Sequence, residues 1–522
     1  MAGKLRYGLP LALLLPGFAL AQQVSYSPYI NQRAPDDFEV IGRSGNYYWV
    51  EKEQIRKAYR QHETDYDLKK QSFIAYDERL NPVKEIVAPD RKGIIKEYLV
   101  AGKDHFDQLV LSAVDGGTGI FVNRYSAGTD NDYLSMSVDR LPFTVNPSGV
   151  LLIRSADLSR VLLLAFEPGE MPEQRLHTIL FNADWKMIYH TVIEHPYFSQ
   201  PCIQDDDIAF PGESFDNLPV KLANDGSWFM ASPSRTNRNF LFFHIGPNGT
   251  NIEYREIPLS PGYTMEDIAM SIDNEQQSMS VGLLSGYRHT TLKSVAVTRY
   301  SMTNDRFEFD SCYHFNSLAG RLKNQNLSNA AFMAISDEGY MLLKEYGRPV
   351  DASLEQTTDL EPGDPVYFMA AFSEQQAIAT RHDYNDYAYR NGLQGVQSIF
   401  NRGNLSMYYF PVNRSDSSWS GTINTEQTTE LNNPALSYLV FPVHRKIFFI
   451  YNSPLTRSGE TSTTTTLDRR GQPTGDALIF WKLNRTMDFQ QARRISAGEV
   501  AVPFHNGGQR GFAILRLMVD IQ

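Results

Sequence analysis

The chain has 522 residues and a formal net charge of −11, with 60 Asp and Glu against 49 Lys and Arg. The negative charge is spread along the chain and no basic block occurs, which argues against binding nucleic acid by neutralising its phosphates. Aromatic residues make up 12% of the chain, and long runs of helix-forming residues are few, so the composition favours strands over helices.

The N-terminus is organised like a secretory signal. Lys4 and Arg6 precede an apolar run from Leu9 to Leu20, and Ala19-Leu20-Ala21 puts small residues at the two cleavage positions. We therefore predict a signal peptide over residues 1–21, followed by an exported chain that is periplasmic or extracellular. The apolar run is shorter than the ~20 residues that span a bilayer, and no membrane span is predicted elsewhere. A buried N-terminal strand or helix is the alternative interpretation.

Two cysteines, Cys202 and Cys312, remain in the chain. A disulfide between them is compatible with an oxidising compartment, but sequence spacing does not establish the geometry that a disulfide needs. Two separate buried thiols is the interpretation that we favour, with the disulfide as the alternative.

The chain then continues as short apolar runs joined by polar turns. Phe38–Gly42 and Tyr47–Val50 flank a Ser-Gly-Asn turn, which predicts a β-hairpin. The charged segment Glu51–Lys70 is compatible with a short helix or a long solvated loop, and we favour the loop. Phe73–Asp77 and Val83–Val87 predict a second hairpin.

One strand-turn-strand pattern occurs twice in nearly the same form, because Val122–Ser126 and Val297–Ser301 both end in Arg-Tyr-Ser. A period of roughly 50–60 residues, with about four short strands per unit, is typical of β-propeller blades. The sustained 3.6-residue periodicity of helical repeats is missing. We predict an all-β chain folded as a β-propeller with seven blades, or eight if residues 330–423 supply two. The turns of successive units are predicted at Asp77, Ser126, Asn182, Gly246 and Ser301.

The sixth unit is irregular. Phe332–Ile335 and Tyr340–Leu343 predict a strong hairpin, but a long polar excursion, Glu345–Asn391, follows them. We place the whole insertion at about 345–404. Long loops on compact domains usually carry function or are partly disordered, so we expect a ligand site here or at the mouth of the central funnel.

The chain ends with a hairpin formed by Val500–Phe504 and Phe512–Leu517. A circular array leaves open strand edges unless its two ends share a sheet, so we expect the terminal strands to complete one another. With these repeats the chain resembles secreted bacterial β-propeller proteins of unassigned function, and the resemblance implies one propeller domain over residues 22–522. It implies no catalytic residues, and the sialidase-type Asp-box, WD40 and kelch signatures do not recur.

Three loops combine charged and aromatic residues in the way that sugar or peptide recognition requires. A solvated loop with an incidental aromatic residue is the alternative for each. The predicted ligand-binding residues are Asp104, His105, Phe106, Tyr287, Arg288, His289, Arg381, His382, Asp383 and Tyr384.

Metal sites are less well supported by the sequence. Adjacent carboxylates at Asp205, Asp206 and Asp207 could bind Ca²⁺, or they could begin a strand at a solvated edge. His190 and His195 flank a predicted strand end and do not form the helical His pair of a metallohydrolase. No phosphate-binding loop or nucleophile elbow occurs, and we predict no cofactor.

Arg124 and Arg299 could point into a central funnel, but we favour pairing with carboxylates on neighbouring strands, since repetition usually marks the scaffold. Our leading hypothesis is an exported, non-catalytic propeller that binds a glycan, peptide or partner protein. One alternative is a propeller glycoside hydrolase or lyase whose acidic residues converge at the funnel. Another is a structural subunit of an envelope assembly. The sequence leaves the oligomeric state open.

Overall fold

The structure is a computed structural model, and it describes most of the chain in segments. The described residues are 23–30, 37–60, 63–89, 93–128, 133–167, 175–194, 220–233, 239–258, 264–287, 291–314, 331–335, 339–349, 399–412, 418–423, 427–430, 438–443, 446–452, 462–468, 471–472, 478–480, 486–487, 492–496, 499–506 and 509–516.

Within these segments the strands form eight antiparallel sheets, here numbered in chain order. Sheet 1 contains β2 (Asp37–Ser44), β3 (Tyr47–Arg60), β4 (Glu63–Tyr76) and β5 (Pro82–Val87). Sheet 2 contains β6 (Ile94–Ala101), β7 (Phe106–Val114), β8 (Gly117–Tyr125) and β9 (Tyr133–Leu141). A short 3₁₀ helix (Pro147–Gly149) precedes sheet 3, which contains β10 (Val150–Arg154), β11 (Arg160–Phe166), β12 (Arg175–Asn182) and β13 (Met187–Glu194).

The next three sheets have the same strand order. Sheet 4 contains β14 (Val220–Leu222), β15 (Trp228–Pro233), β16 (Asn239–Ile245) and β17 (Ile252–Pro258). Sheet 5 contains β18 (Thr264–Asp273), β19 (Ser278–Tyr287), β20 (Thr291–Ser301) and β21 (Arg306–His314). Sheet 6 contains β22 (Ala331–Ile335), β23 (Gly339–Pro349), β24 (Ile399–Pro411), β25 (Trp419–Ile423) and β26 (Gln427–Glu430), of which β26 also pairs with β24.

Both ends of the chain meet in the last sheet. Sheet 7 contains β27 (Tyr438–Val443), β28 (Lys446–Asn452), β29 (Ser462–Asp468) and β30 (Leu478–Phe480). Sheet 8 contains β1 (Gln23–Tyr26), β31 (Thr486–Met487), β32 (Arg493–Ser496), β33 (Glu499–Asn506) and β34 (Gln509–Arg516), and β1 pairs with β34. The expectation that the terminal strands complete one sheet is confirmed.

The sheets pack side by side in a closed ring, so the predicted all-β propeller is confirmed. Buried apolar clusters join each sheet to the next, and one of them joins sheet 8 to sheet 1 through Phe512, Ile514 and Phe38. The first strands of neighbouring sheets contact one another, as β2 does with β6 and β14 with β18. The first strands therefore lie nearest the centre of the ring, and the fourth strands lie at its rim.

Seven sheets come from seven successive segments, as the seven predicted units imply, and residues 331–430 supply a single enlarged sheet. The eighth sheet is built from the two ends. In this eighth sheet β31 and β32 are only 2 and 4 residues long. Among the described residues, the ring therefore consists of the seven predicted units and one further sheet formed by the two ends.

Three of the predicted turns between third and fourth strands, at Asp77, Asn182 and Gly246, share one geometry. Asp77 and Asn182 each begin a turn closed by a backbone hydrogen bond from the residue three positions later, with lengths of 2.9 and 3.0 Å. That later residue has positive φ, 63° at Leu80 and 60° at Trp185. At Gly249, where φ is 71°, a Cβ atom would lie 2.6 Å from Tyr189, so glycine is required by both conformation and space.

Segment Glu51–Lys70 is not the loop that we favoured. It forms parts of β3 and β4, whose pairing extends from Tyr48 opposite Tyr76 to Arg60 opposite Glu63. The many charged residues of this segment interrupt the alternation of apolar and polar residues that usually indicates a strand. The backbone register sets Arg56 opposite Asp67.

Because neighbouring strands are antiparallel, the turns of each sheet lie on two faces of the ring. The connector face carries the turns between second and third strands and the connections from one sheet to the next. The opposite face carries the turns between first and second and between third and fourth strands. On the connector face, β23 and β24 stay paired as far as Pro349 opposite Phe400, inside the bounds predicted for the insertion, and residues 350–398 lie outside the described residues.

Candidate functional site

The first predicted loop, Asp104 to Phe106, joins β6 to β7 on the opposite face. Phe106 is fully buried, and its ring stacks on Tyr125 with a centroid distance of 4.7 Å. Its ring is therefore part of the core and offers no exposed surface to a ligand. Asp104 is exposed, and the carbonyl oxygen of His105 accepts a 2.7 Å hydrogen bond from Ser44 Oγ.

The other predicted residues lie largely outside the described part of the chain. Tyr287 ends β19 and Cys312 lies in β21. The following predicted residues, with the calcium candidates, lie outside the described residues: Arg288, His289, Arg381, His382, Asp383, Tyr384, Asp205, Asp206, Asp207, Cys202 and His195.

Arg124 pairs with a carboxylate on the neighbouring strand, as predicted. Its Nε and Nη2 atoms donate to the two oxygens of buried Asp107 at 2.9 and 3.1 Å, and Trp185 Nε1 from sheet 3 donates to Asp107 at 2.7 Å. Burial alone would raise the pKa of Asp107, but hydrogen bonds from His105 and Arg124 outweigh it and lower that pKa. Arg124 is thus part of a junction between sheets 2 and 3.

Arg299 differs from its counterpart and from our prediction. Its Nε and Nη2 atoms donate to Ser278 Oγ at 3.0 and 2.7 Å, and Nη2 also donates to Gln276. Its hydrogen-bond partners are therefore neutral. A serine occurs near the position where sheet 2 has a carboxylate.

The strongest candidate site lies between sheets 4 and 5 and was missed by the sequence analysis. We call it the Tyr300 cluster, and its members are His244, Glu253, Tyr300 and Asp305. Tyr300 Oη lies 3.1 Å from His244 Nδ1 and 2.9 Å from Glu253 Oε2, and it also donates to Asp305. His244 Nδ1 lies 3.8 Å from Glu253 Oε2 and 3.7 Å from Asp305 Oδ1. Four groups that can hold protons or metals thus face one another.

Regular strand pairing positions these side chains. His244 on β16 lies directly opposite Glu253 on β17, so the two point to the same side of sheet 4. Tyr300 ends the apolar run of β20, and Asp305 lies in the following turn with φ of 53°. Phe229 stacks on the His244 ring at 4.7 Å and 6°, which fixes its plane.

The cluster is buried at one end and open at the other. The side chains of His244 and Glu253 are 7% and 20% exposed, whereas Asp305 is 44% exposed. Burial lowers the pKa of His244 although Asp305 and Glu253 oppose the effect. For Asp305, burial alone would raise the pKa, but the hydrogen bonds and charges around it, led by the hydrogen bond from Tyr300, together outweigh burial, and the pKa lies below its ordinary value.

A second group of carboxylates lies between sheets 1 and 2. Glu51, Glu53 and Glu97 each bring an oxygen within 4.8 Å of the others. Gln71 Nε2 donates to Glu97 at 3.0 Å, and Gln108 Nε2 donates to the same side chain at 2.7 Å. Amide donors from two sheets thus already hydrogen-bond to this group.

Sheets 2 and 3 are joined at the rim by a row of titratable groups. Glu167 lies 3.1 Å from His177 Nε2, and His177 Nδ1 lies 3.0 Å from His190 Nε2. His190 Nδ1 lies 3.6 Å from Asp139. His190, considered above as a weak metal candidate, therefore has another histidine as its nearest hydrogen-bond partner.

An ion pair near the centre of the ring and a groove at its rim are two further candidate places. Near the centre of the ring, Arg493 on β32 forms a 2.7 Å ion pair with Glu39 on β2, which joins the last sheet to the first. At the rim, an open groove of about 420 Å³ lies between Tyr29 and the outer part of sheet 1. Neither brings together as many chemically active groups as the Tyr300 cluster.

The Tyr300 cluster had only a weak signal in the sequence. Tyr300 belongs to the repeated Arg-Tyr-Ser pattern, but His244 and Glu253 belong to the preceding unit. Their approach depends on the packing of one sheet against the next, which strand periodicity does not encode.

No protein-family model matches the chain, and no curated protein matches it. Among solved structures, the β-propeller domain of the trilobed protease from Pyrococcus furiosus is similar at 8% identity with a TM-score of 0.32, over 83% of this chain and 95% of that one. A polysaccharide lyase is similar at 8% identity with a TM-score of 0.36, over 89% and 94% of the two chains. Prolyl oligopeptidase B from Galerina marginata is similar at 9% identity with a TM-score of 0.38, over 90% of this chain and 55% of that one.

Likeness at this level carries no inference about activity, and the fold assignment rests on the sheet topology. Among the described residues, no helix combines the length and apolar character needed to cross a membrane.

Proposed function

We propose that the protein is an exported, non-catalytic propeller that binds a glycan, a peptide or a partner protein on its connector face. The ring is closed by pairing of its two ends, from Gln23 opposite Arg516 to Tyr26 opposite Ala513. A closed scaffold of this kind holds surface loops in fixed positions, which is how loops on rigid folds acquire binding functions.

The observation that carries the proposal is a pair of strand extensions on that face. Beyond Glu53 and Gln71, β3 and β4 continue alone as a two-stranded ribbon from Gln54 to Lys70. Isolated two-stranded hairpins are marginally stable in water. A ribbon of this length on the surface therefore favours a role in contact with another molecule.

The second extension comes from sheet 6. There β23 and β24 pair as far as Pro349 opposite Phe400, and β26 pairs with the Ile399–Arg402 part of β24. Both extensions leave the ring between second and third strands, so they project from the same face. The strands that flank Arg288 and Arg381 end at this face too, which supports keeping these residues as ligand-binding candidates.

The test is a binding screen on glycan and peptide arrays with the full chain and a shortened variant. In the variant, a two-residue Asn-Gly turn replaces Gln54–Lys70 and connects Glu53 to Gln71. The fold is expected to persist, because both joined residues lie at the edge of the four-stranded part of sheet 1. Ligand retention is expected to fall at least about tenfold, the effect of losing ~1.4 kcal/mol of binding free energy. Arg381→Ala is expected to weaken binding as well.

Asp104→Ala is the matched comparison, because Asp104 is a ligand-binding residue predicted from the sequence but is exposed on the opposite face. Its binding is expected to match that of the unaltered chain. If the ribbon variant binds normally while Asp104→Ala loses binding, the site belongs to the opposite face and the proposal fails. Cleavage of an arrayed glycan would instead support a hydrolase or lyase. Stoichiometric co-purification with envelope proteins, without array binding, would support a structural subunit.

A further inference from the structure

We propose that His244, Glu253 and Asp305 bind one divalent transition-metal ion of the Zn²⁺ class between sheets 4 and 5. The three side chains present one imidazole nitrogen and two carboxylate oxygens, all within 4.8 Å of one another. Such a nitrogen and oxygen set suits Zn²⁺ and similar ions, whereas Ca²⁺ and Mg²⁺ prefer oxygen ligands alone.

Charge and proton counting favour a cation in this place. Tyr300 has a single hydroxyl proton, yet its oxygen faces Glu253, Asp305 and His244 Nδ1 at hydrogen-bonding distance. One hydroxyl proton cannot satisfy two carboxylate oxygens and an imidazole nitrogen at the same time. Arg255 offsets part of the charge by donating to both oxygens of Glu253 at 3.2 and 3.3 Å. The two carboxylates still outnumber this single guanidinium, and an excess of carboxylates attracts a metal ion.

The spacing is close to that of a metal centre. Ligand atoms 2.0–2.2 Å from a tetrahedral zinc ion are roughly 3.4 Å apart. His244 Nδ1 lies 3.8 Å from Glu253 Oε2 and 3.7 Å from Asp305 Oδ1. The oxygens of Glu253 and Asp305 lie within 4.8 Å of each other, so the three ligand atoms need only move closer together to bind one ion. Tyr300 Oη then lies beside the fourth position, where it can bind the ion or hydrogen-bond to a bound water.

The surroundings supply support for the ligands and a route for the ion. Phe229 stacks on the imidazole, and Arg255 also donates to the carbonyl oxygen of Asp305 at 2.8 Å. Contacts of this second layer orient metal ligands. The open side lies at Asp305, which is 44% exposed, so an ion can reach the site from solvent. The cluster lies on the face away from the β3–β4 ribbon, and its metal binding is independent of the ligand proposed above.

The test uses the full chain without a histidine tag, treated with chelator and then titrated with Zn²⁺ by calorimetry. One ion per chain is expected, with a rise in the thermal unfolding midpoint on binding. His244→Gln and Asp305→Asn are each expected to weaken Zn²⁺ binding by more than the roughly 10–100-fold that loss of an outer partner costs. Asn tolerates the positive φ at residue 305, so the second variant keeps the backbone of the turn.

His190→Gln is the control, because it removes a rim histidine beside a carboxylate but leaves the Tyr300 cluster intact. Circular dichroism and unfolding of each variant without metal confirm that the fold is retained. Co²⁺ gives a second measurement, since its visible absorption reports a nitrogen and oxygen ligand set. The proposal is overturned if the chain binds no Zn²⁺, if His244→Gln and Asp305→Asn both bind it normally, or if His190→Gln loses binding equally.

Discussion

Tyr125 and Tyr300 occupy the same place in sheets 2 and 5, at the end of the third strand, yet their surroundings differ. Both rings are fully buried. Tyr125 stacks on Phe106 and contacts Phe73, and its hydroxyl donates to Gln108 at 2.9 Å. Tyr300 instead brings its hydroxyl to a histidine and two carboxylates. The repeated Arg-Tyr-Ser pattern therefore specifies a position in the fold and leaves the chemistry around it open.

The residues of the preceding sheet determine whether the surroundings of each tyrosine are apolar or polar. Ala75 lies opposite Lys84 in sheet 1, and His244 lies opposite Glu253 at the matching place in sheet 4. Ala75 joins an apolar cluster that contains Tyr125, whereas His244 and Glu253 create a polar cluster around Tyr300. Function can thus vary at one interface between sheets while the scaffold of the ring stays the same.

The largest expected effect tests the scaffold side of this comparison. Asp107→Ala removes the acceptor of Arg124 and Trp185 and leaves a partly buried cation without its partner. Breaking a buried pair in this way costs about 3–5 kcal/mol, and we expect a loss of that order in the free energy of unfolding from urea titration. A loss below about 1 kcal/mol would show that the Asp107 junction is not needed to hold sheets 2 and 3 together.

The next largest effect is the pH dependence of the contribution that Asp107 makes to the free energy of unfolding. The pKa of Asp107 is lower in the folded chain than its ordinary value, so its contribution is present above that ordinary value, about 3.9, and is lost as the pH falls through the folded pKa. The gap in unfolding free energy between Asp107 and Asp107→Asn should therefore stay constant from about pH 5 to 7 and narrow below about pH 4.

Removing each tyrosine hydroxyl compares the two regions directly. Tyr125→Phe loses one neutral hydrogen bond, which costs about 1 kcal/mol, whereas Tyr300→Phe loses a donor to charged groups, which costs about 2 kcal/mol. Urea unfolding of both variants, without metal, measures the difference. Equal costs would mean that the carboxylates around Tyr300 are satisfied by water, and the two sites would then be alike in energy.

Local sequence signals predicted most of the fold, and contacts between sheets explain what they missed. The turns at Asp77 and Asn182 follow from residue type and hydrogen bonding over a few positions, so the hairpins were predictable. The prediction of a loop at the β3–β4 ribbon was wrong, because the charged residues of this segment hide the strand alternation beyond the edge of the core. The Tyr300 cluster depends on which residue of sheet 4 faces sheet 5, and that register between sheets leaves no periodic pattern in the sequence.

The smallest expected effect is that of Arg299→Gln, which is best measured beside the matching change at Arg124. Arg124→Gln would leave Asp107 buried with fewer donors and should cost about 3 kcal/mol. Arg299→Gln loses hydrogen bonds to the neutral Ser278 and Gln276 at a partly exposed position, where substitutions usually change stability by at most about 0.5 kcal/mol. Thermal unfolding of the two variants side by side measures both. If Arg299→Gln proves as costly as Arg124→Gln, the Arg-Tyr-Ser pattern is a single structural unit in both sheets, and the preceding sheet is not what distinguishes them.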